Sequence, residues 1–292
     1  MPLTPVPFTA PADRRGEASL PLRYEDISQD GRLSCRAMTH ALGPTLWEKV
    51  LVNHPVAAPL RDDGIVPILS RLSAVSLEGP IGFGARPRTQ GAFALVRAVD
   101  AKGRPRFRMD MSVSVTGLLG RTHGPPPPDA GKALTLGHVV AEHVLTRPFG
   151  AVERRRVDAL PAGIDVDRDA PWREPEASLE LPEGARWIDA DFTRDPNVTT
   201  LGLGHTDSNQ HVNSLVYPLL VEEAALRHAA RPKTASFAHH FELAYRKPFF
   251  ESERALIELR AYERENAFGV IARCVDASSG EARTFGRLEL VP

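Results

Sequence analysis

The sequence predicts an α+β fold used twice: one helix wrapped by an antiparallel sheet, then the same unit again. Three observations lead there. The chain has 292 residues, enough for two domains of ordinary size. A weak internal repeat runs through it. Pro44-Thr45-Leu46-Trp47-Glu48 resembles Pro218-Leu219-Leu220-Val221-Glu222 at an offset of 174 residues, and Ala98-Val99-Asp100-Ala101-Lys102-Gly103 resembles Cys274-Val275-Asp276-Ala277-Ser278-Ser279-Gly280 at 176. Third, each half reads as short strand, helix, then long strands joined by tight turns.

In the first half, Leu20 to Tyr24 and Arg32 to Ala37 read as short strands. Pro44 to His54 reads as a helix, because Leu46, Val50 and Leu51 fall on one face. Ile65 to Leu77, Ala92 to Val99 and Arg106 to Thr116 read as strands, the last two flanking an Asp-Ala-Lys-Gly turn. Pro125 to Pro128 must be extended. Ala133 to Leu145 reads as a short helix, and Leu160 to Pro182, rich in Pro, Asp and Glu, as linker. In the second half, strand signals lie at Trp187 to Phe192 and Thr199 to Gly204, and a helix runs to about His228. Strands follow at Ser236 to Lys247, Ala255 to Arg264, Phe268 to Asp276 and Ala282 to Val291. The units are placed at residues 1–150 and 151–292, with Met1 to Glu17 a loose, proline-rich tail. Regular helix should begin or bend at Pro44 and Pro218, since proline is tolerated only near a helix start.

Composition narrows the function. Net charge is −1, which argues against nucleic acid as the main partner. No apolar stretch approaches the roughly 20 residues of a membrane span. The N-terminus lacks the apolar core of a signal peptide. Cys35 and Cys274 sit in strand-like runs, which suggests buried thiols in a reducing compartment; the sequence leaves a disulfide open. A cytoplasmic location is expected.

Chemistry concentrates in His205-Thr206-Asp207-Ser208-Asn209-Gln210-His211-Val212-Asn213-Ser214. Asp207, Asn209 and His211 recur at every second position just before an apolar, helix-like segment. A carboxylate, a carboxamide and an imidazole are what water activation needs, and helix N–H groups can hold a developing negative charge. A simpler reading stands beside this one. Asp, Asn and Ser cap helices and make turns without any chemistry. His205, Asp207 and His211 could also ligate a metal, with His239-His240 as further candidates. The triplet followed by Val-Asn favours catalysis over both, with no metal.

These residues carry a resemblance. Asp207-Ser208-Asn209-Gln210-His211-Val212-Asn213, with Tyr217 and Glu222 beyond, is similar to the hot-dog thioesterases, most of all the acyl-ACP thioesterases of plants and bacteria, whose pattern is Asp-x-Asn-x-His-Val-Asn. Asp26 to Ser34 resembles that family's first strand pair, and Leu243 to Pro248 the strand after its second helix. The resemblance implies two fused hot-dog units over about Leu20 to Leu290, and hydrolysis of an acyl thioester on CoA or acyl-carrier protein without a cofactor. It implies Asp207, Asn209 and His211 as catalytic residues, and Asn213 and Tyr217 as substrate-binding ones. A homodimer is among the assemblies it admits. The pattern also departs from the family. Pro248 and Phe249 stand where the plant enzymes have an acid and a cysteine, with Glu242, Glu251 and Glu253 as nearby carboxylates. At the offset of 174, the first-unit counterparts of the triplet are Leu33, Cys35 and Ala37, so one site is expected rather than two.

The alternatives are a hot-dog protein that binds acyl chains without cleaving them, and an acyl dehydratase. A dehydratase would usually carry its His and acid on opposite units, and unit one offers no such acid. Leu215, Val216 and Leu219, with Leu46 and Trp47 of the first helix, are expected to line the acyl tail, unless Trp47 is ordinary packing. Gly79 to Gly84 has the wrong spacing for a dinucleotide fingerprint. Glu153-Arg154-Arg155-Arg156 reads as a solvated face, with docking of an acidic carrier protein as the rival.

Overall fold

The computed structural model describes residues 10–82, 84–121, 124–229, 237–265 and 267–291. The start of the expected tail, Phe83 of the glycine-rich run and Ser236 at the start of an expected strand lie outside these residues. The chain forms two compact units that divide between Arg173 and Glu174.

In the first unit, β1 (Arg15–Ser19) pairs antiparallel with β3 (Arg88–Val99), so the expected loose tail is a strand from Arg15 onward. A Cβ on Gly16 would lie 1.9 Å from the Thr45 carbonyl oxygen, so only glycine fits that crossing. Helical turns follow. They are α1 (Cys35–Thr39), a π turn at Gly43–Trp47, a 3₁₀ turn at Leu51–Asn53 and α2 (Ala57–Asp62). The strand expected at Arg32 to Ala37 is therefore mostly helix, because the Ser34 hydroxyl accepts from the Ala37 N–H at 3.1 Å and caps α1. The helix expected at Pro44 to His54 is broken, since Gly43-Pro44 and the prolines at 55 and 59 interrupt regular bonding.

The sheet of this unit runs β3, β4 (Pro105–Leu118), β5 (Ala133–Thr146), β2 (Val66–Ser76) across, all antiparallel. β5 corrects the helix expected at Ala133 to Leu145. Both its faces are covered, so the alternation that marks a half-exposed strand is missing from its sequence. The expected linker also does structural work. β6 (Arg168–Asp169) pairs parallel with β3, and Ala170 packs on Ala92, Ala94 and Val96. Arg168 reaches Asp110 at 2.7 Å and Arg173 reaches Glu142 at 3.2 Å. These contacts tie the segment to the first unit, which runs to Arg173.

In the second unit, β7 (Arg186–Trp187) and β8 (Thr193–Thr200) both pair with β10 (Arg254–Arg264). The sheet continues from β10 to β11 (Ala267–Asp276), β12 (Ala282–Val291) and β9 (Phe237–Tyr245). The first long strand returns beside the last, as in the first unit. One long helix, α3 (Val216–His228), buries Tyr217, Pro218, Leu220, Val221, Ala224 and Ala225. Pro218 lies in its first turn, where a missing N–H costs no helical bond. At the other end Arg227 forks onto buried Asp195, at 3.0 and 2.5 Å, and His228 meets Asp189 at 2.7 Å. Both cations suit a helix C-terminus.

The equivalence of the strands corrects the repeat. The Asp100 turn joins β3 to β4, whereas the Asp276 turn joins β11 to β12, which is not the matching hairpin. Pro44 lies in the π turn and Pro218 in α3. The unit is repeated, but not at the offsets of 174 and 176.

Candidate functional site

The motif is a closed turn laid against the start of α3. Thr206 and Val212 form a β-bridge. Inside it the Asp207 N–H donates to the His211 carbonyl at 3.1 Å, and the Gln210 N–H to the Asp207 carbonyl at 2.9 Å. Gln210 takes φ 64°, a left-handed conformation that lets the turn close. A 3₁₀ turn, Leu203–His205, leads in; His205 Nδ1 accepts from the Gly202 N–H at 2.9 Å. That bond makes His205 a cap.

The sequence-predicted residues separate here. Asp207 Oδ1 accepts from the Asn209 N–H at 2.9 Å, and its Oδ2 from Asn213 Nδ2 at 3.4 Å. His211 Nδ1 stands 4.0 Å from Asp207 Oδ1; it is buried, and within the described residues it has no hydrogen-bond partner. The two side chains keep 26% and 38% exposure, so the pair is half-buried but open to a reactant. The Asn209 side chain is exposed. Asn213 reaches two ways, since its Oδ1 also accepts from the Leu215 N–H at 2.8 Å. It ties the Asp207 carboxylate to the helix start.

Tyr217 lies inward. Its hydroxyl accepts from the Phe249 N–H at 3.1 Å, and the Phe249 carbonyl accepts from the Val212 N–H at 2.8 Å. Its ring stands edge-on to Tyr245, whose hydroxyl donates to the Ser214 carbonyl at 3.0 Å. Burial pushes both phenols above their ordinary pKa, so they stay neutral. Sequence reasoning missed this Tyr245–Tyr217–Phe249 brace, although the Tyr-Arg-Lys-Pro-Phe run marked the segment. Of the α3 first turn, the Leu215 and Val216 N–H groups bond within the Asn213 turn and Pro218 has none. Among the described residues no acceptor bonds the Tyr217 N–H, which leaves it to donate.

Two of the three carboxylates near Pro248 are held by arginine. Glu242 pairs with Arg287 at 2.9 Å, and Glu253 with Arg283 at 2.6 Å; Glu251 is exposed. Glu222 accepts from the Ala238 N–H at 3.2 Å. Among the described residues no three His, Cys, Asp or Glu side chains are grouped to hold a metal ion. Both cysteines are buried free thiols, and burial pushes Cys274 up to about 12. In the first unit, Leu46 is fully buried and Trp47 stands edge-on to His143, with ring centres 5.3 Å apart.

No protein-family model matches the chain, and no curated protein matches its sequence. Solved structures do. An acyl-ACP thioesterase from Bacteroides thetaiotaomicron is similar at a TM-score of 0.56 and 16% identity, over 95% of this chain and 97% of that one. The 12:0-ACP thioesterase of Umbellularia californica is similar at 0.53 and 14%, again over 95% and 97%. The fold is a double hot-dog.

The first hot-dog unit makes the motif turn as well. Ile27 and Leu33 form the bridge. The Ser28 N–H donates to the Arg32 carbonyl at 2.8 Å and the Gly31 N–H to the Ser28 carbonyl at 2.9 Å. Gly31 takes φ 84°. The counterparts of Asp207, Asn209, His211 and Asn213 are therefore Ser28, Asp30, Arg32 and Ser34. They replace Leu33, Cys35 and Ala37 of the sequence register. The first hot-dog turn has no imidazole.

Proposed function

We propose that this chain hydrolyses an acyl thioester carried by CoA or an acyl-carrier protein. The observation that carries the reading is the half-buried Asp207–His211 pair at the mouth of α3, within a fold shared over its full length with acyl-ACP thioesterases. In this reading a substrate carbonyl lies against the Tyr217 N–H, where the helix end favours negative charge. His211, oriented by Asp207, takes a proton from water. The hydroxide adds to the carbonyl carbon, and the oxyanion is held at the helix end. The C–S bond then breaks, and the imidazolium returns its proton to the leaving thiolate. Asn209 and Asn213 hold the carboxylate and its turn in place.

One observation favours a second reading, acyl binding without cleavage. Glu242 and Glu253 are held by arginines, so neither is free to replace the acid that the thioesterase pattern places at Pro248. The experiment that separates the two is release of free thiol from a panel of acyl-CoA and acyl-carrier-protein substrates. Turnover supports hydrolysis. Retention of the intact thioester in stoichiometric complex supports binding alone.

A further inference from the structure

Thr146 and Arg156 bridge the base of a hairpin loop in the first hot-dog unit. The Arg147 N–H donates to the Arg155 carbonyl at 2.8 Å, and the Thr146 hydroxyl to the same carbonyl at 2.7 Å. Arg147 also holds the loop to the body through the Asp63 carboxylate and, at 3.1 Å, its carbonyl. On this fixed base Phe149 is 94% exposed and Val152 72%. From Arg147 to Arg156 there are four arginines and one glutamate, a charge of +3 on a chain whose net charge is −1. Arg147 and Arg156 already sit on carboxylates, Asp63 and Asp158. Arg154 and Arg155 are exposed and have no ion-pair partner among the described residues; Arg155 Nε donates to the Gly150 carbonyl at 3.2 Å.

We infer that this hairpin docks an acidic carrier protein that presents the acyl thioester, with Phe149 entering an apolar depression and Arg154 and Arg155 pairing with carboxylates around it. The inference rests on the thioester reading above and names its carrier. Three features select a protein partner. Phe149 and Val152 stand exposed to solvent on this hairpin, whereas a small carrier such as CoA is held in a concave site. Its cations are all arginine, the side chain whose fork matches carboxylates, and two of the four already pair with one carboxylate oxygen each. An exposed aromatic in an arginine-rich loop has the composition of a protein–protein contact centre. A membrane surface asks only for diffuse charge, which lysine supplies equally well.

The test uses the full chain, fluorophore-labelled holo-acyl-carrier protein as the probe, and two variants, Arg154→Glu/Arg155→Glu and Phe149→Ser. Binding is read by anisotropy at low salt, and turnover with one acyl chain on two carriers. Each variant should weaken carrier-protein binding and lower kcat/KM on the acyl-carrier protein by about tenfold or more, with acyl-CoA turnover within about twofold of wild type and an unchanged melting temperature. Unchanged carrier-protein binding in both variants overturns the inference, as does equal loss on both carriers. So does wild type that binds phosphatidylglycerol vesicles but not the carrier protein, which makes the hairpin a membrane contact. Wild type that binds the carrier protein yet releases no thiol from either substrate removes the hydrolytic reading and leaves the docking surface standing.

Discussion

Between Ile27 and Leu33, and between Thr206 and Val212, the backbone makes one turn with two different sets of side chains. The entry matches as well. Asp26 accepts from the Arg23 N–H at 2.8 Å where His205 accepts from the Gly202 N–H at 2.9 Å. The exit matches too: the Ser34 N–H donates to the Asp26 carbonyl and the Asn213 N–H to the His205 carbonyl, both at 2.9 Å. The comparison separates what the turn needs from what it does not. A carboxylate bracing a backbone N–H occurs in both, at Asp30 and at Asp207. Local bracing therefore accounts for part of Asp207. It does not account for His211. The same turn closes around Arg32, while His211 Nδ1 is buried with no hydrogen-bond partner in the described residues, a cost that a structural role leaves unexplained.

The largest expected effect breaks the two turns apart. If the proposed function holds, Asp207→Asn and His211→Ala each lower thiol release by about 10²–10⁴-fold. Asp30→Asn, at the bracing carboxylate of the first turn, and Arg32→Ala, at the place of His211, leave it within about twofold, with all four variants folded by circular dichroism. Equal losses in both turns would mean that the turn, not its side chains, carries the activity.

The units also differ in how they hold buried ionisable groups. In the first, burial pushes Asp110 up to about 6 against the opposing pull of Arg108, and burial pushes His143 down to about 4. In the second, burial raises Glu289, but bonds from His240 and Tyr262 and the charge of Arg264 outweigh it and hold the carboxyl at about 2. As pH falls from about 6 to 4, folded Asp110 takes its proton before the unfolded chain does, so that group adds stability. Over nearly the same range the unfolded chain protonates His143 first, so stability is lost. The two oppose, and Glu289 stays charged throughout. Asp110→Asn should expose the His143 loss: the variant falls in stability by on the order of 2 kcal/mol between pH 6.5 and 4, while wild type changes less. Parallel urea midpoints for both proteins across that range would refute the opposition.

Asn213→Ser gives the second turn the residue of the first. Serine still caps, as Ser34 does on the Ala37 N–H. It cannot span from the helix start to Asp207. The expected result is a roughly tenfold lower kcat at unchanged KM, the value of one hydrogen bond to a charged group, with a displaced limb in the pH–rate profile. A lower melting temperature with the profile unmoved would leave Asn213 as a cap alone.

Much of this was legible in the residues, for different reasons. In the second unit β10 alternates, and the strands after it are short apolar runs bounded by turns, so their pattern shows. The first-unit helix is cut by Pro44, Pro55 and Pro59, and β5 is covered on both faces, so neither keeps its period. The motif was visible because Asp, Asn and His are chemically conspicuous at spacing two. Its first-unit copy was not, because the copy preserves backbone bonds rather than side chains: Ser28-Gln29-Asp30-Gly31-Arg32 shares no residue in register with Asp207-Ser208-Asn209-Gln210-His211. Prolines and an Asp turn aligned more readily and gave the wrong offset. Tyr217 carries a substrate-binding role by the resemblance alone. Its bond to the Phe249 N–H depends on a segment thirty-two residues away.

The smallest expected effect tests the turn position that both copies fill with a left-handed residue. Gly31 meets φ 84° without strain, whereas Gln210 holds φ 64° with a side chain. That conformation costs a non-glycine residue about 1–2 kcal/mol, and glycine gives back about 0.5–1 kcal/mol through its freer unfolded chain. Gln210→Gly should therefore raise stability by about 0.5 kcal/mol, and Gly31→Gln should lower it by a similar amount, read as opposite shifts of the urea midpoint. Matching signs would show that the two turns are not equivalent. With the signs as expected, thiol release by Gln210→Gly decides why the strain is kept. Full activity would make Gln210 a tolerated residue at a glycine position. A more stable but slower protein would mean that the exposed Gln210 side chain serves the site, and would extend the functional part of this turn from alternate residues to the one between Asn209 and His211.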